Sequence, residues 1–169
     1  GRTVVNRVSF EVGNREVVGL LGRNGAGKTT SFRMTIGMVT PDEGSVMFDG
    51  FDITKLPMYQ RARKGMGYLS QEPSIFQRMT VQQNLLAILE TTRRSKAARG
   101  AEADRLMAQF NLTKNRHQRA GTLSGGERRK LEIARSLITN PSLILLEEPF
   151  SGVDPIAVED LQREIRDLK

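Results

Sequence analysis

The stretch Gly22-Arg23-Asn24-Gly25-Ala26-Gly27-Lys28-Thr29 narrows the possible folds more than any other part of this chain. Its spacing is that of a phosphate-binding loop, which needs a strand before it and a helix after it. Both are expected here. Glu16-Val17-Val18-Gly19-Leu20-Leu21 reads as a buried strand, and a helix is predicted over about 28–36. The glycines let backbone N–H groups converge on an anion at a helix N-terminus, where the helix dipole favours negative charge. Lys28 supplies a point charge for the β- and γ-phosphates, Thr29 offers a hydroxyl to Mg²⁺, and Thr30 adds a phosphate contact. An α/β fold with a nucleotide at the loop is therefore predicted.

The acid that such a site needs comes late in the chain. Leu143-Ile144-Leu145-Leu146 is an apolar strand that ends in Glu147-Glu148. Carboxylates at the carboxyl edge of a parallel sheet stand where ligands bind in such folds. In phosphoryl transfer the first acid organises Mg²⁺ and the second orients the attacking water. Glu147 and Glu148 take those two roles here, with Glu148 as the catalytic candidate.

Between these motifs the chain changes character. Val8-Ser9-Phe10-Glu11-Val12 alternates as a half-buried strand does, and Gly13-Asn14 makes a turn. Residues 44–51 read as a short strand and turn, and Gly67-Tyr68-Leu69 as another short strand. Thr80-Val81-Gln82-Gln83 is a capping box that opens a helix with Val81, Leu85, Ile88 and Leu89 on one face. A polar run over 91–100 and a second helix at about 101–110 follow. Residues 80–120 are thus expected to be a helical insertion in one α/β domain. Ser124-Gly125-Gly126-Glu127 is another capping box, opening a helix to about residue 137. Asn140-Pro141 breaks that helix, and Asp154-Pro155 starts a final helix with Val158, Leu161, Ile165 and Leu168 in period.

Leu123-Ser124-Gly125-Gly126-Glu127 narrows the class further. With the phosphate-binding loop and the acidic strand end in the same order, the sequence resembles the ATPase subunits of ABC transporters, over essentially its whole length. The resemblance implies a P-loop NTPase with a RecA-like core, an N-terminal antiparallel β portion and an inserted helical subdomain. It places Gln71 at the glutamine that contacts Mg²⁺, and Ser151-Gly152-Val153-Asp154 at the family's D-loop. Ser124, Gly125, Gly126 and Glu127 would complete the ATP site of an opposite subunit, so the working unit is expected to be a homodimer around two ATP molecules. Leu56-Pro57-Met58-Tyr59-Gln60-Arg61-Ala62-Arg63, Ser74-Ile75-Phe76 and Gly152-Val153-Asp154-Pro155-Ile156 look like the group that powers lipopolysaccharide export. That likeness implies a place on the cytoplasmic face of a bacterial inner membrane, under membrane subunits whose helices enter a groove lined by residues 71–89. Phe76 and the apolar face of the Val81 helix are the candidates for that groove. Branched-chain amino acid import, a soluble ABC ATPase and a nucleotide-binding module without turnover are the rival readings.

Several positions depart from the family's pattern. Glu147 stands where an aspartate is usual, and Arg23 and Ser70 stand where prolines are frequent. The adenine-stacking aromatic and the switch histidine of the family are expected upstream of Gly1 and downstream of Lys169, so this sequence is expected to be a piece of a longer chain with weak activity by itself. His117 precedes the signature and is expected on a polar surface loop.

Composition excludes other classes. A formal charge of +7 with 5% aromatics and no nucleic-acid-binding motif reads as a basic surface without a nucleic-acid partner. No apolar run is long enough to cross a bilayer, and there is no cysteine to form a disulfide.

Overall fold

The structure, a computed structural model, describes residues 3–166, without the side chains at 156, 157 and 166. Leu168, the last residue of the final helix's apolar period, lies outside the described residues. The chain falls into two compact units, one reaching Met66 and one running from Gly67.

In the first unit, α1 spans Lys28–Ile36. It starts where Gly27 turns left-handed (φ 87°) and stops where Gly37 does so again (φ 82°). Glycine adopts this conformation at little cost, and it is the usual helix stop. The C-terminal carbonyls of α1 are met by a side chain from α2 (Met58–Arg63). The buried Arg61 guanidinium donates to Met34 O at 2.8 Å, Thr35 O at 2.7 Å, Leu56 O at 2.8 Å and Thr54 O at 2.8 Å. Strands β1 (Met47–Phe48) and β2 (Phe51–Asp52) form an antiparallel hairpin, with Met47 opposite Asp52 and Phe48 opposite Phe51. Left-handed Asp49 and Gly50 make its turn.

Two expectations fail in this unit. Val8–Val12 and Glu16–Leu21 lie in no strand. Phe10, Val17 and Val18 are exposed, and Leu21 is 92% exposed. Alternation gives a segment the capacity to be a strand, but the ladder needs a neighbour, and none pairs with either segment among the described residues. The antiparallel β portion here is the β1–β2 hairpin.

The second unit holds the larger core. Helix α3 (Val81–Leu89) is capped by Thr80 with Gln83 in a full capping box, and α4 (Lys96–Gln109) by Ser95. Helix α5 (Gly125–Ser136) is capped by Ser124 with Glu127, and α6 (Pro155–Arg166) follows Asp154. Short 3-10 turns at Thr113–Asn115 and Ala120–Thr122 link α4 to α5. Strands β3 (Met66–Leu69) and β4 (Leu143–Leu146) pair as a sheet. Val81, Leu85 and Leu89 of α3 pack with Leu106 and Met107 of α4, with Phe110 just past its end and with Leu131 and Ile133 of α5, all fully buried. A side chain of this size contributes about 1.5–3 kcal/mol when withdrawn from water. That burial corrects one expectation: the Val81, Leu85 and Leu89 face of α3 is core and is not open to a partner.

Candidate functional site

The phosphate-binding loop belongs to the first unit. Residues 22–26 are exposed, Gly27 is buried and Lys28, Thr29 and Thr30 are half-buried. A Cβ at Gly27 would stand 2.7 Å from the Val4 carbonyl oxygen, so both the left-handed backbone and the close approach demand glycine. The loop folds around its own lysine. The Lys28 ammonium donates to Gly22 O at 2.6 Å and Arg23 O at 2.9 Å, which holds its charge over the loop. The first in-helix bond of α1 runs from the N–H of Ser31 to Gly27 O at 2.8 Å. The N–H groups of Lys28, Thr29 and Thr30 therefore have no acceptor within the helix, the arrangement that takes up an anion.

The second unit gathers the acids and the glutamine. Glu147 and Glu148 follow β4 directly. The N–H of Glu147 donates to Leu69 O of β3 at 2.9 Å, and its carboxylate accepts from the Tyr68 hydroxyl at 2.5 Å. Glu147 is 5% exposed, whereas Glu148 is exposed. Glu148 sits in the left-handed region at φ 43°, a conformation that costs a non-glycine residue of order 1–3 kcal/mol. That turn carries its carboxylate to Gln71, whose amide Nε2 donates to Glu148 Oε2 at 2.8 Å. Gln71 and Glu148, 77 residues apart in sequence, meet in one place.

A buried arginine fixes this arrangement from behind. Arg129 of α5 donates to the carbonyls of Glu147 at 2.8 Å, Glu148 at 3.2 Å, Pro149 at 3.0 Å and Ser70 at 3.1 Å. It also pairs with Glu132 at 2.9 Å, and Glu132 accepts the N–H of Ser74 at 3.0 Å. The backbones before Gln71 and around the two acids are thus tied to one side chain of the helix that starts at Ser124. Sequence reading gives no role to Arg129 or to Tyr68, although Tyr68 lies in the family-like stretch before Gln71, because both act through contacts far along the chain.

Ser124, Gly125, Gly126 and Glu127 form the start of α5. Ser124 donates its N–H to Glu127 Oε2 at 3.0 Å, and the N–H of Glu127 donates to Ser124 Oγ at 3.3 Å. The Ser124 N–H, with the Ser124 hydroxyl and Asn115 behind it, holds the Glu127 carboxyl below the ordinary glutamate range despite partial burial. Ser124 and Gly125 are exposed, and Gly126 is buried.

The oxygen donors in the second unit (the Glu147 and Glu148 carboxylates and the Gln71 amide) are hard ligands suited to Mg²⁺. Among the described residues no three His, Cys, Asp or Glu side chains form a metal-holding cluster. His117 is exposed, as expected. A shallow cleft of about 170 Å³ lies beside the site in the second unit, lined by Tyr68, Leu69, Ser74, Ile88, Glu132, Arg135 and Ser136. Small-molecule pockets run to about 300–1,000 Å³, so the cleft is too small for a nucleotide. At its edge the exposed Phe76 lies under the Arg135 guanidinium, 4.6 Å from the ring centre.

The ABC transporter family profile matches residues 5–151. This chain belongs to the ABC transporter family. The lipopolysaccharide export system ATP-binding protein of Haemophilus influenzae is 52% identical over 169 residues, covering 99% of this chain and 70% of that protein. Its counterpart in Escherichia coli K12 is 51% identical, covering 100% of this chain and 70% of that protein. Among solved structures, an ABC transporter's ATP-binding cassette in its ADP conformation superposes with a TM-score of 0.85 at 29% identity, covering 98% of this chain and 70% of that one. The chain is thus an ABC-type ATPase with the α/β fold of that family. No described helix of this ABC ATPase is long and apolar enough to cross a membrane.

Proposed function

We propose that this chain is the ATP-hydrolysing subunit that powers lipopolysaccharide export, working as a homodimer beneath integral-membrane subunits on the cytoplasmic face of a bacterial inner membrane. The observation that carries the substrate is the 51–52% identity, along nearly the whole chain, to proteins of that export system. In the first unit, Lys28 and the amides of the Gly22–Thr30 loop bind the ATP phosphates, and Thr29 offers its hydroxyl to Mg²⁺. In the second, Gln71 and Glu147 would offer oxygen to Mg²⁺, which when bound supplies positive charge for phosphoryl transfer. Glu148 orients the attacking water and takes its proton. Its hydrogen bond to Gln71 supports this role, since the pair links the water-orienting acid to a cation-holding side chain. Ser124, Gly125, Gly126 and Glu127 present the start of α5 to the ATP of the second subunit. The exposed Phe76 and the cleft beside Arg135 are the docking place for the membrane subunits.

The test is Mg-dependent ATP hydrolysis by the full-length protein in complex with its membrane subunits. Glu148→Gln should lower turnover about 10²–10⁴-fold, the range for losing a proton-transfer group, while ATP binding persists. Release of lipopolysaccharide from proteoliposomes should require ATP and stop in the same variant. A complex that hydrolyses ATP but releases no lipopolysaccharide would overturn the substrate while keeping the enzyme.

A further inference from the structure

Tyr68 stands on β3, beside the strand that carries the two acids, and the reading above gives it no task. Its hydroxyl donates to Glu147 Oε2 at 2.5 Å across 79 residues of sequence. The backbone of Glu147 is fixed at both of its polar groups. Its N–H is on Leu69 O at 2.9 Å, and its carbonyl accepts from Arg129 at 2.8 Å. What is left to decide is where the carboxylate points, and glutamate has one more rotatable bond than aspartate with which to wander. A hydroxyl bonded to a carboxylate is charge-assisted, and such bonds are stronger than those between neutral groups. A tyrosine ring has only two torsions, so it holds such a bond at small entropic cost.

We propose that Tyr68 is the positioning residue for the Glu147 carboxylate: its hydroxyl holds Oε2, selects one rotamer and so sets how the other oxygen meets a divalent cation. The hydroxyl also draws some charge from the carboxylate, which weakens it as a ligand. Mg²⁺ tolerates little departure from octahedral geometry, so orientation outweighs that loss. An aspartate at 147 would be shorter by one carbon–carbon bond, roughly 1.5 Å, and could not keep the Tyr68 contact. Tyrosine and glutamate are therefore a matched pair in this chain. The proposal rests on the reading of Glu147 as a cation-holding residue.

Mn²⁺ as a paramagnetic stand-in for Mg²⁺ tests it without turnover. Mn²⁺ binding to the full-length protein is followed by electron paramagnetic resonance in the presence of a non-hydrolysable ATP analogue, in four proteins: parent, Tyr68→Phe, Glu147→Asp and the double variant. Tyr68→Phe should weaken Mn²⁺ about 10–100-fold, the usual effect of removing an outer partner of a metal ligand. In the Glu147→Asp background the same change should alter Mn²⁺ affinity by less than about twofold, because the shorter side chain has no bond to lose. Binding of the analogue in EDTA should be equal in all four, which separates cation positioning from damage to the fold. Tyr68→Phe binding Mn²⁺ as the parent does, or an equal loss in both backgrounds, would overturn the pairing and leave the ATPase reading intact. Absence of analogue-dependent Mn²⁺ binding in the parent would overturn the cation role of Glu147 and the proposal with it.

Discussion

Water solvates a guanidinium so well that burying one demands acceptors on every side. Arg61 and Arg129 meet that demand differently. Arg61 keeps its charge and donates to four carbonyls, of which Met34 O and Thr35 O lie in the last turn of α1, where the helix dipole is negative. Burial lowers its pKa, and Asp52 partly offsets this. Arg129 has carbonyls too, but it also has Glu132, and both side chains are almost wholly buried. Its planar fork can serve several carbonyls and a carboxylate at once, which a lysine cannot do. Arg129→Met should therefore strand a buried carboxylate and cost about 3–5 kcal/mol in urea unfolding. Adding Glu132→Leu should recover much of that loss. If the double variant were as unstable as the single one, the carbonyl contacts of Arg129 would matter more than its charge pairing.

Helix boundaries follow from a few polar atoms at each end, and that is where the sequence was most readable. The capping boxes at Thr80 and Ser124 mark the starts of α3 and α5, and Gly37 stops α1 as a left-handed residue should. The cap of α5 makes stability depend on pH. Because the folded Glu127 carboxyl lies below its unfolded value, its contribution is complete above the ordinary glutamate range and is lost as pH falls through the folded value. Glu127→Gln keeps an acceptor for the Ser124 N–H and does not titrate, so its melting temperature should fall less steeply in acid than that of the parent. Parallel curves for the two proteins would show that Glu127 is not the group responsible. The sequence pattern places the second insertion helix at about 101–110, but α4 starts at Lys96, because Ser95 caps a run with no apolar period to reveal it. Helix α2 was not foreseen. Six residues after Pro57 are too few to display a helical period, and Arg61 reaches Met34 and Thr35, 27 and 26 residues away. The site divides in the same way. The phosphate-binding loop is local and legible, while Tyr68 with Glu147 and Arg129 with Ser70 join residues 79 and 59 apart.

At the scale of the molecule, order is concentrated in the second unit, where α3, α4, α5 and α6 share one apolar core. By contrast, the backbone bonds within residues 3–26, among those described, are Glu16 to Gly13 and Ala26 to Arg23. Amide hydrogen exchange should reflect this difference. Residues 3–26 should exchange near the rate of an unfolded chain, and the interior amides of α3 and α5 only on global opening. Slow exchange at Val17 and Val18 would mean that the segment has found a ladder partner in solution. The same second unit contains a contact whose significance is mechanical. At Gly125 an added Cβ would lie 2.5 Å from the carbonyl oxygen of Gly152, so the two stretches touch backbone to backbone with no side chain between them. A side chain at 125 has no room unless Gly152 moves, and Gly152 stands four residues after Glu148. The bareness of position 125 is thus a condition for the 148–152 stretch to lie where it does.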